Sequence, residues 1–164
     1  MADTTSSGSF TIGVISDTHG LLRPSAVAAL RGSDVILHAG DVGGQDILDS
    51  LAEIAPVHVV RGNTDHGSWA ETLPRTEVVS VDGADIYMVH DIEDLDLDPA
   101  AADFDMVVYG HSHRPDVAVR EGVTYFNPGA AGHRRFSLPV TVGKVRVTPA
   151  GLGDPEVVHI EAAP

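Results

Sequence analysis

The sequence predicts an α/β domain whose strands end in chemistry, and three observations carry that prediction. Short apolar, β-branched runs recur along the chain, and each passes into Gly, Asp, Asn or His. Helix candidates at 24–30 and 45–53 alternate with the first of these runs, the pattern that builds open α/β sheets. The third observation is Tyr109-Gly110-His111-Ser112-His113, directly after the run Met106-Val107-Val108. A strand ending this way presents imidazoles at its C-terminal mouth, where open α/β sheets place ligand sites. Two positions apart on an extended segment, both rings face one side, which suits one metal ion or two adjacent ones.

Length and composition set the frame. A chain of 164 residues with 43% hydrophobic content fills one well-buried core and is too short for two comfortable domains. The expected organisation is a polar tail at 1–9 and a single domain over 10–164. There is no apolar run long enough to span a bilayer, and the tail lacks the basic start and apolar block of a signal peptide, so the expected location is cytoplasmic. With no cysteine, disulfides and thiolate metal sites are excluded, and any metal must be held by His, Asp, Asn or Glu. Ten Lys and Arg against 24 Asp and Glu give a net charge of −14. That surface disfavours non-specific attraction to polymeric nucleic acid or to an anionic membrane.

The elements follow in order. Residues 10–15 form the first strand, and Ser16-Asp17-Thr18-His19-Gly20 after it is turn-prone. Asp17 and His19 repeat the two-apart spacing, although an Asp there also suits a helix cap. Residues 34–38 form the second strand and open into Gly40-Asp41-Val42-Gly43-Gly44, where glycines let the backbone approach a ligand closely. Asp41 is therefore aimed at the same surface as Asp17, whereas His38, still within its strand, reads as a packed histidine. The third strand, 56–60, leads to Arg61-Gly62-Asn63-Thr64-Asp65-His66. The Asn63 amide oxygen there suits a hard cation, and His66 reads as solvated.

Residues 77–81 and 84–90 form a hairpin about Asp82-Gly83, ending at His90. The acidic stretch 91–98 reads as a solvated loop before a short helix at 99–104. A second hairpin, 116–120 with 123–126, turns at Glu121-Gly122 and ends in Asn127-Pro128-Gly129. Strands at 138–148 and 157–160 complete the chain. Seven strand-end residues stand out together: Asp17, His19, Asp41, Asn63, His90, His111 and His113. Seven hard or borderline donors without a thiolate are what a two-metal site needs when one carboxylate bridges the ions.

Five spaced motifs, Asp17-Thr18-His19, Gly40-Asp41, Gly62-Asn63-Thr64-Asp65, His90 and Gly110-His111-Ser112-His113, run from about 12 to 130. In content and order they resemble the calcineurin-like metallophosphoesterases, in particular the short, cap-less bacterial and archaeal phosphodiesterases related to the Vps29 retromer subunit. The resemblance implies two mixed β-sheets packed as a sandwich and flanked by α-helices. It also implies that Asp17, His19 and His113 hold one ion, that Asn63, His90 and His111 hold the other, and that Asp41 bridges. Manganese is the first expectation for the two divalent cations, with iron, zinc, nickel or cobalt as alternatives.

The activity this implies is hydrolysis of small phosphodiesters. Two ions about 3.5–4 Å apart activate a shared water as the nucleophile and neutralise developing phosphoryl charge, with Asp41, Asn63 and His111 as the catalytic set around that water. Second acceptors should fix the imidazole tautomers, and Asp65 and the carbonyls at 127–129 are the candidates. Many members of the wider family carry a histidine after the motif asparagine, where it can protonate the leaving group; this chain has Thr64. The other class of function is a protein-interaction scaffold of Vps29 type, against which the complete donor set argues. The subfamily also implies a homo-oligomer.

Overall fold

The computed structural model describes residues 8–161. The tail expected at 1–9 thus lies outside the described residues, apart from Gly8 and Ser9, which are exposed and belong to no element. Two mixed sheets form the body. The first has the order β10-β9-β1-β2-β3, with β11 also on β9. Its strands are β1 (Phe10–Ile15), β2 (Val35–His38), β3 (Val57–Val59), β9 (Thr141–Thr148), β10 (Gly151–Leu152) and β11 (Glu156–His159). β1, β2 and β3 are parallel, and β9 runs against β1.

The second sheet has the order β4-β5-β6-β8-β7, from β4 (Thr76–Val81), β5 (Ala84–Val89), β6 (Met106–Val108), β7 (Asp116–Arg120) and β8 (Val123–Asn127). Here β5, β6 and β8 are parallel, and the two hairpins add antiparallel edges. Between the sheets lies a dry layer that includes Ile12, Val14, Leu37, Ile86, Met88, Met106, Val108 and Phe126, all at 0% exposure. Because side chains alternate along a strand, the same strands bury a second set outward. Ile15, Ile36 and Val142 pack under helices α1 (Pro24–Leu30) and α2 (Gln45–Ala52), against Leu30, Ile47 and Leu51.

The helices expected at 24–30 and 45–53 begin where the sequence puts them. Pro24 opens α1 at the position where its missing N–H costs nothing. The third, Ser68–Glu71, is a single turn that carries no apolar period to announce it. The expected helix at 99–104 is absent, and one hydrogen-bonded turn stands there instead. Asp98 caps the amides of Ala100 and Ala101, and Asp103 enters the left-handed region at φ 63° and stops the turn. Leu95, Leu97 and Phe104 spread from this irregular segment over Tyr87 and Val107. Among the described residues, α-helices therefore flank one sheet only, and the other is covered by a 3-10 turn, Ile92–Asp94, and the irregular segment after it. No helix among the described residues is long and apolar enough to cross a membrane.

Candidate metal centre

The parallel strands of both sheets deliver their C-terminal loops to one end of the sandwich. The loop after β1 continues to pair with the loop after β2: Asp17, His19 and Gly20 donate their amides to the carbonyls of Gly40, Asp41 and Val42 at 3.0, 2.9 and 2.9 Å. In the other sheet, the Gly110 amide donates to the His90 carbonyl at 2.9 Å. The loops here leave no room for a side chain, within the first sheet at Gly62 and between the sheets at Gly110. A Cβ on Gly62 would fall 2.1 Å from Asp41 N, and one on Gly110 would fall 2.1 Å from Ser16 Oγ, so only glycine permits the approach.

All seven donors meet at this end, in two groups. His19 Nε2 and His113 Nε2 are 3.3 Å apart, and Asp17 Oδ1 stands 3.7 and 3.4 Å from them. In the second group, Asn63 Oδ1 lies 3.0 Å from His90 Nε2 and 3.1 Å from His111 Nδ1. Asp41 Oδ2 joins the groups, at 3.2 Å from His90 Nε2 and 3.6 Å from His19 Nε2. Donors each about 2.1 Å from one cation stand about 3.0–3.4 Å apart in tetrahedral or octahedral arrangements. The residues therefore fit a metal in each group.

The carboxylates show the fit most directly. Asp17 Oδ2 accepts from Ser16 Oγ at 2.6 Å and from the His111 amide at 3.1 Å. Its Oδ1 is buried without a hydrogen-bond partner among the described residues. Asp41 Oδ1 accepts from the Thr64 amide at 2.9 Å, and its other oxygen faces the imidazoles. In each case one oxygen is tied down and the other is aimed into the cluster. An unpaired buried carboxylate oxygen costs a few kcal/mol unless positive charge answers it.

The imidazoles follow the same logic. His90 Nδ1 donates to the Ala39 carbonyl at 2.7 Å, so the lone pair of its neutral ring lies on Nε2 and points at two acceptor oxygens. That contact is favourable only with positive charge between them, supplied by a proton or by a cation. Burial opposes charge on His90, but the bond to Asp41 and the field of Asp17 prevail and push its pKa up to about 9. Burial likewise opposes ionisation of Asp17, yet His113, His19 and His90 hold it well below the usual carboxylate range. His19 is raised by the Asp17 carboxylate 3.7 Å from its Nε2, against burial.

Two supports were not legible as such. Asp91, within the run expected to be merely solvated, places Oδ2 3.6 Å from His111 Nε2, beyond hydrogen-bond length but near enough to favour a proton on Nε2 and leave the Nδ1 lone pair toward Asn63. Its position directly after His90 was the only signal. Asn127 holds the histidine loop through its side chain, donating to the Gly110 carbonyl at 3.1 Å and Ser112 Oγ at 3.2 Å. Asp65 does something other than the expected histidine anchoring. Its carboxylate collects the amides of Val42, Gly43 and Gly62 at 3.2, 3.0 and 2.8 Å, clamping the loops that bear Asp41 and Asn63. The carbonyls at 127–129 anchor no ring either, and His113 Nδ1 is buried without a partner among the described residues. His66 is exposed.

His38 is the packed histidine expected of it. Thr18 Oγ1 donates to the Val42 carbonyl at 2.7 Å and so accepts from His38 Nε2 at 3.0 Å, while His38 Nδ1 accepts the Gly40 amide at 3.1 Å. Burial keeps this ring neutral, with its pKa down at about 4.

Comparison with known proteins agrees with this geometry. Residues 10–149 match the calcineurin-like phosphoesterase superfamily domain. A probable metallophosphoesterase of Methanothermobacter thermautotrophicus is 34% identical over 140 residues, covering 78% of this chain and 81% of that one. Among solved structures, Vacuolar Protein Sorting 29 from Cryptosporidium parvum superposes with a TM-score of 0.74 at 20% identity, over 95% of this chain and 99% of that one. Yfce, a phosphoesterase from E. coli, gives 0.65 at 22%, over 92% and 100%; likeness at such identity speaks to the fold. The chain belongs to the calcineurin-like phosphoesterase superfamily, a family of metal-dependent phosphoesterases.

Proposed function

We propose that this protein is a phosphodiesterase for small substrates and that it works with two divalent cations, manganese first among them. The observation that carries the reading is Asp41 Oδ2, which faces His90 on one side and His19 on the other at 3.2 and 3.6 Å, as a bridging oxygen must. All seven positions carry competent donors, which speaks against a scaffold with a decayed site. Bound cations supply Lewis acidity toward the phosphoryl oxygens and activate water for attack near neutral pH.

The chain's own residues do the positioning. Thr64 N–H fixes Asp41, Asp91 orients His111, and Asp65 holds both loops in register. No side chain placed like the wider family's histidine donates a proton to the leaving group, since Thr64 takes that position. A positioned general acid contributes roughly 10²–10⁴-fold, so good leaving groups are preferred. The reading is tested by metal analysis after reconstitution, with an activity panel of aryl phosphodiesters, cyclic nucleotides and monoesters. Two ions per chain and metal-dependent turnover of the diesters are expected; loading that never exceeds one ion, or full loading without turnover, would overturn it.

A further inference from the structure

Beside the metal centre a cavity of about 390 Å³ opens, with His90 in its wall and Arg61, Arg75, Asp94 and Asp96 among its lining residues. Arg61 follows β3 and Arg75 precedes β4; the Arg61 amide donates to the Pro74 carbonyl at 2.7 Å, which draws the two segments together. Arg61 uses Nε on the Asp65 carbonyl at 3.0 Å, leaving its terminal nitrogens for another partner. Neither guanidinium forms an ion pair, although two carboxylates line the same cavity; among the described residues only Arg23, of all the arginines and the lysine, is ion-paired with a carboxylate. In a chain of net charge −14, an anionic ligand meets an unfavourable long-range field. Two cationic forks beside the reaction centre, set against Asp94 and Asp96, make this wall neutral in an otherwise acidic chain.

We propose that this cavity binds a second anionic group of the substrate, a carboxylate or a further phosphate carried on one ester arm of the diester. The inference rests on the phosphodiesterase reading and narrows its substrate class. Arg61 and Arg75 present planar donor pairs that match such a group. Binding energy from this remote group would position the scissile phosphorus beside His90. Asp94 and Asp96, both exposed, can turn to water when the anion enters.

The test uses ligands with no ester bond to cleave, so it is independent of turnover. Dissociation constants are measured by calorimetry on the full chain in manganese, for phosphonoacetate, phosphonopropionate and phosphonobutyrate. The references are the alkylphosphonates of matching length and aminoethylphosphonate. At one chain length or more, the carboxylate should tighten binding about tenfold, the range of hydrogen bonds to charged groups. That gain should vanish in Arg75→Glu and persist in part in Arg75→Lys. The proposal is overturned if no length shows the gain, if the gain survives Arg75→Glu, or if the aminoethyl ligand gains instead. Absent hydrolysis of bis(nitrophenyl) phosphate together with an intact carboxylate gain would strike the phosphodiesterase reading and leave the anion subsite standing.

Discussion

At the hairpin end of the sandwich, Asp82-Gly83 and Glu121-Gly122 reverse the chain with φ of 48° and 89°, and of 52° and 81°. A Cβ on either glycine would meet nothing within 4 Å. At the metal end, Gly40-Asp41 has φ of 104° and 54°, but a Cβ on Gly40 would fall 2.7 Å from His90 Nδ1. The same dipeptide chemistry thus serves two ends. In the hairpins the left-handed backbone is what the two-residue turn needs. At the metal end, Asp17, His19, Asp41, His111 and His113 all have positive φ, at about 1–2 kcal/mol each, and hydrogen bonds together with close glycine packing hold the loops in place. Strain concentrated this way is the mark of a site whose geometry is maintained for what it binds.

The largest effect that would break this contrast is chemical. Asp41→Asn and His111→Ala should each lower phosphodiesterase activity by at least about 10³-fold, because both act where charge develops. Folding should survive, since the dry layer between the sheets does not include them. Circular dichroism, metal content and turnover of an aryl diester, measured together, decide it. Near-native turnover with full metal loading in either variant removes that residue from the proposed site.

Next comes a stability contrast. Gly62→Ala drives a Cβ into Asp41, at 2.1 Å from both N and Oδ1, and should cost several kcal/mol, as overpacking against fixed backbone does. Gly83→Ala meets open space and should cost only the positive-φ penalty of about 1 kcal/mol. Denaturant unfolding of the two variants in chelator gives the comparison directly. Equal losses would mean that the metal-end loops are as free to adjust as a hairpin.

The difference between the ends also explains what the sequence reveals. Most strands and both hairpins were legible because β-branched runs and Asp-Gly or Glu-Gly turns are local signals, whereas the strand expected at 138–148 begins at Thr141 and the two-residue β10 was not foreseen. β1 and α1 coincide with the expected 10–15 and 24–30. The helix at 99–104 misled because Pro-Ala-Ala-Ala looks helical locally, while Asp98, Asp103 and the apolar face of the neighbouring sheet decide otherwise. The seven donors could be gathered by their position after strands, but their partners could not. Ala39 O on His90, Asp91 on His111 and the reach of Asp65 to Val42 and Gly43 are contacts across 20 to 51 residues, and no sequence period encodes them.

A pH measurement separates the buried histidine of the support from those that face the cluster. His38 has its pKa lowered from 6.5 to about 4, so the unfolded chain takes up the proton first. Its contribution to stability is full above about pH 6.5 and is lost as pH falls toward 4, up to roughly 3 kcal/mol. In His38→Gln that component is missing. The stability gap between native and variant, measured in chelator, should therefore shrink as pH falls through this window. The cluster histidines titrate alike in both proteins and cancel. A gap constant with pH would mean that His38 is charged when folded, contrary to its bonds to Thr18 and Gly40.

The smallest expected effect concerns Thr64, whose backbone amide serves the metal end while the residue itself is exposed. Its amide fixes Asp41 at 2.9 Å and the residue is exposed, so Thr64→His should leave the loop in place. The substitution puts an imidazole beside Asn63, where it can protonate a departing alkoxide. An unoptimised acid should recover only part of the roughly 10²–10⁴-fold that a positioned one provides, and about tenfold for poor leaving groups is expected. Good leaving groups need no proton and should change little. The measurement is log kcat/KM against leaving-group pKa for aryl and alkyl phosphodiesters, in native protein, Thr64→His and His66→Ala. The native slope should be steep and Thr64→His should flatten it. His66→Ala should match native, because exposed His66 has no fixed place near the donors. A native line already flat, and still flat in His66→Ala, would mean that another group supplies the proton or that bond cleavage does not limit the rate; the side chain at 64 would then have no bearing on turnover.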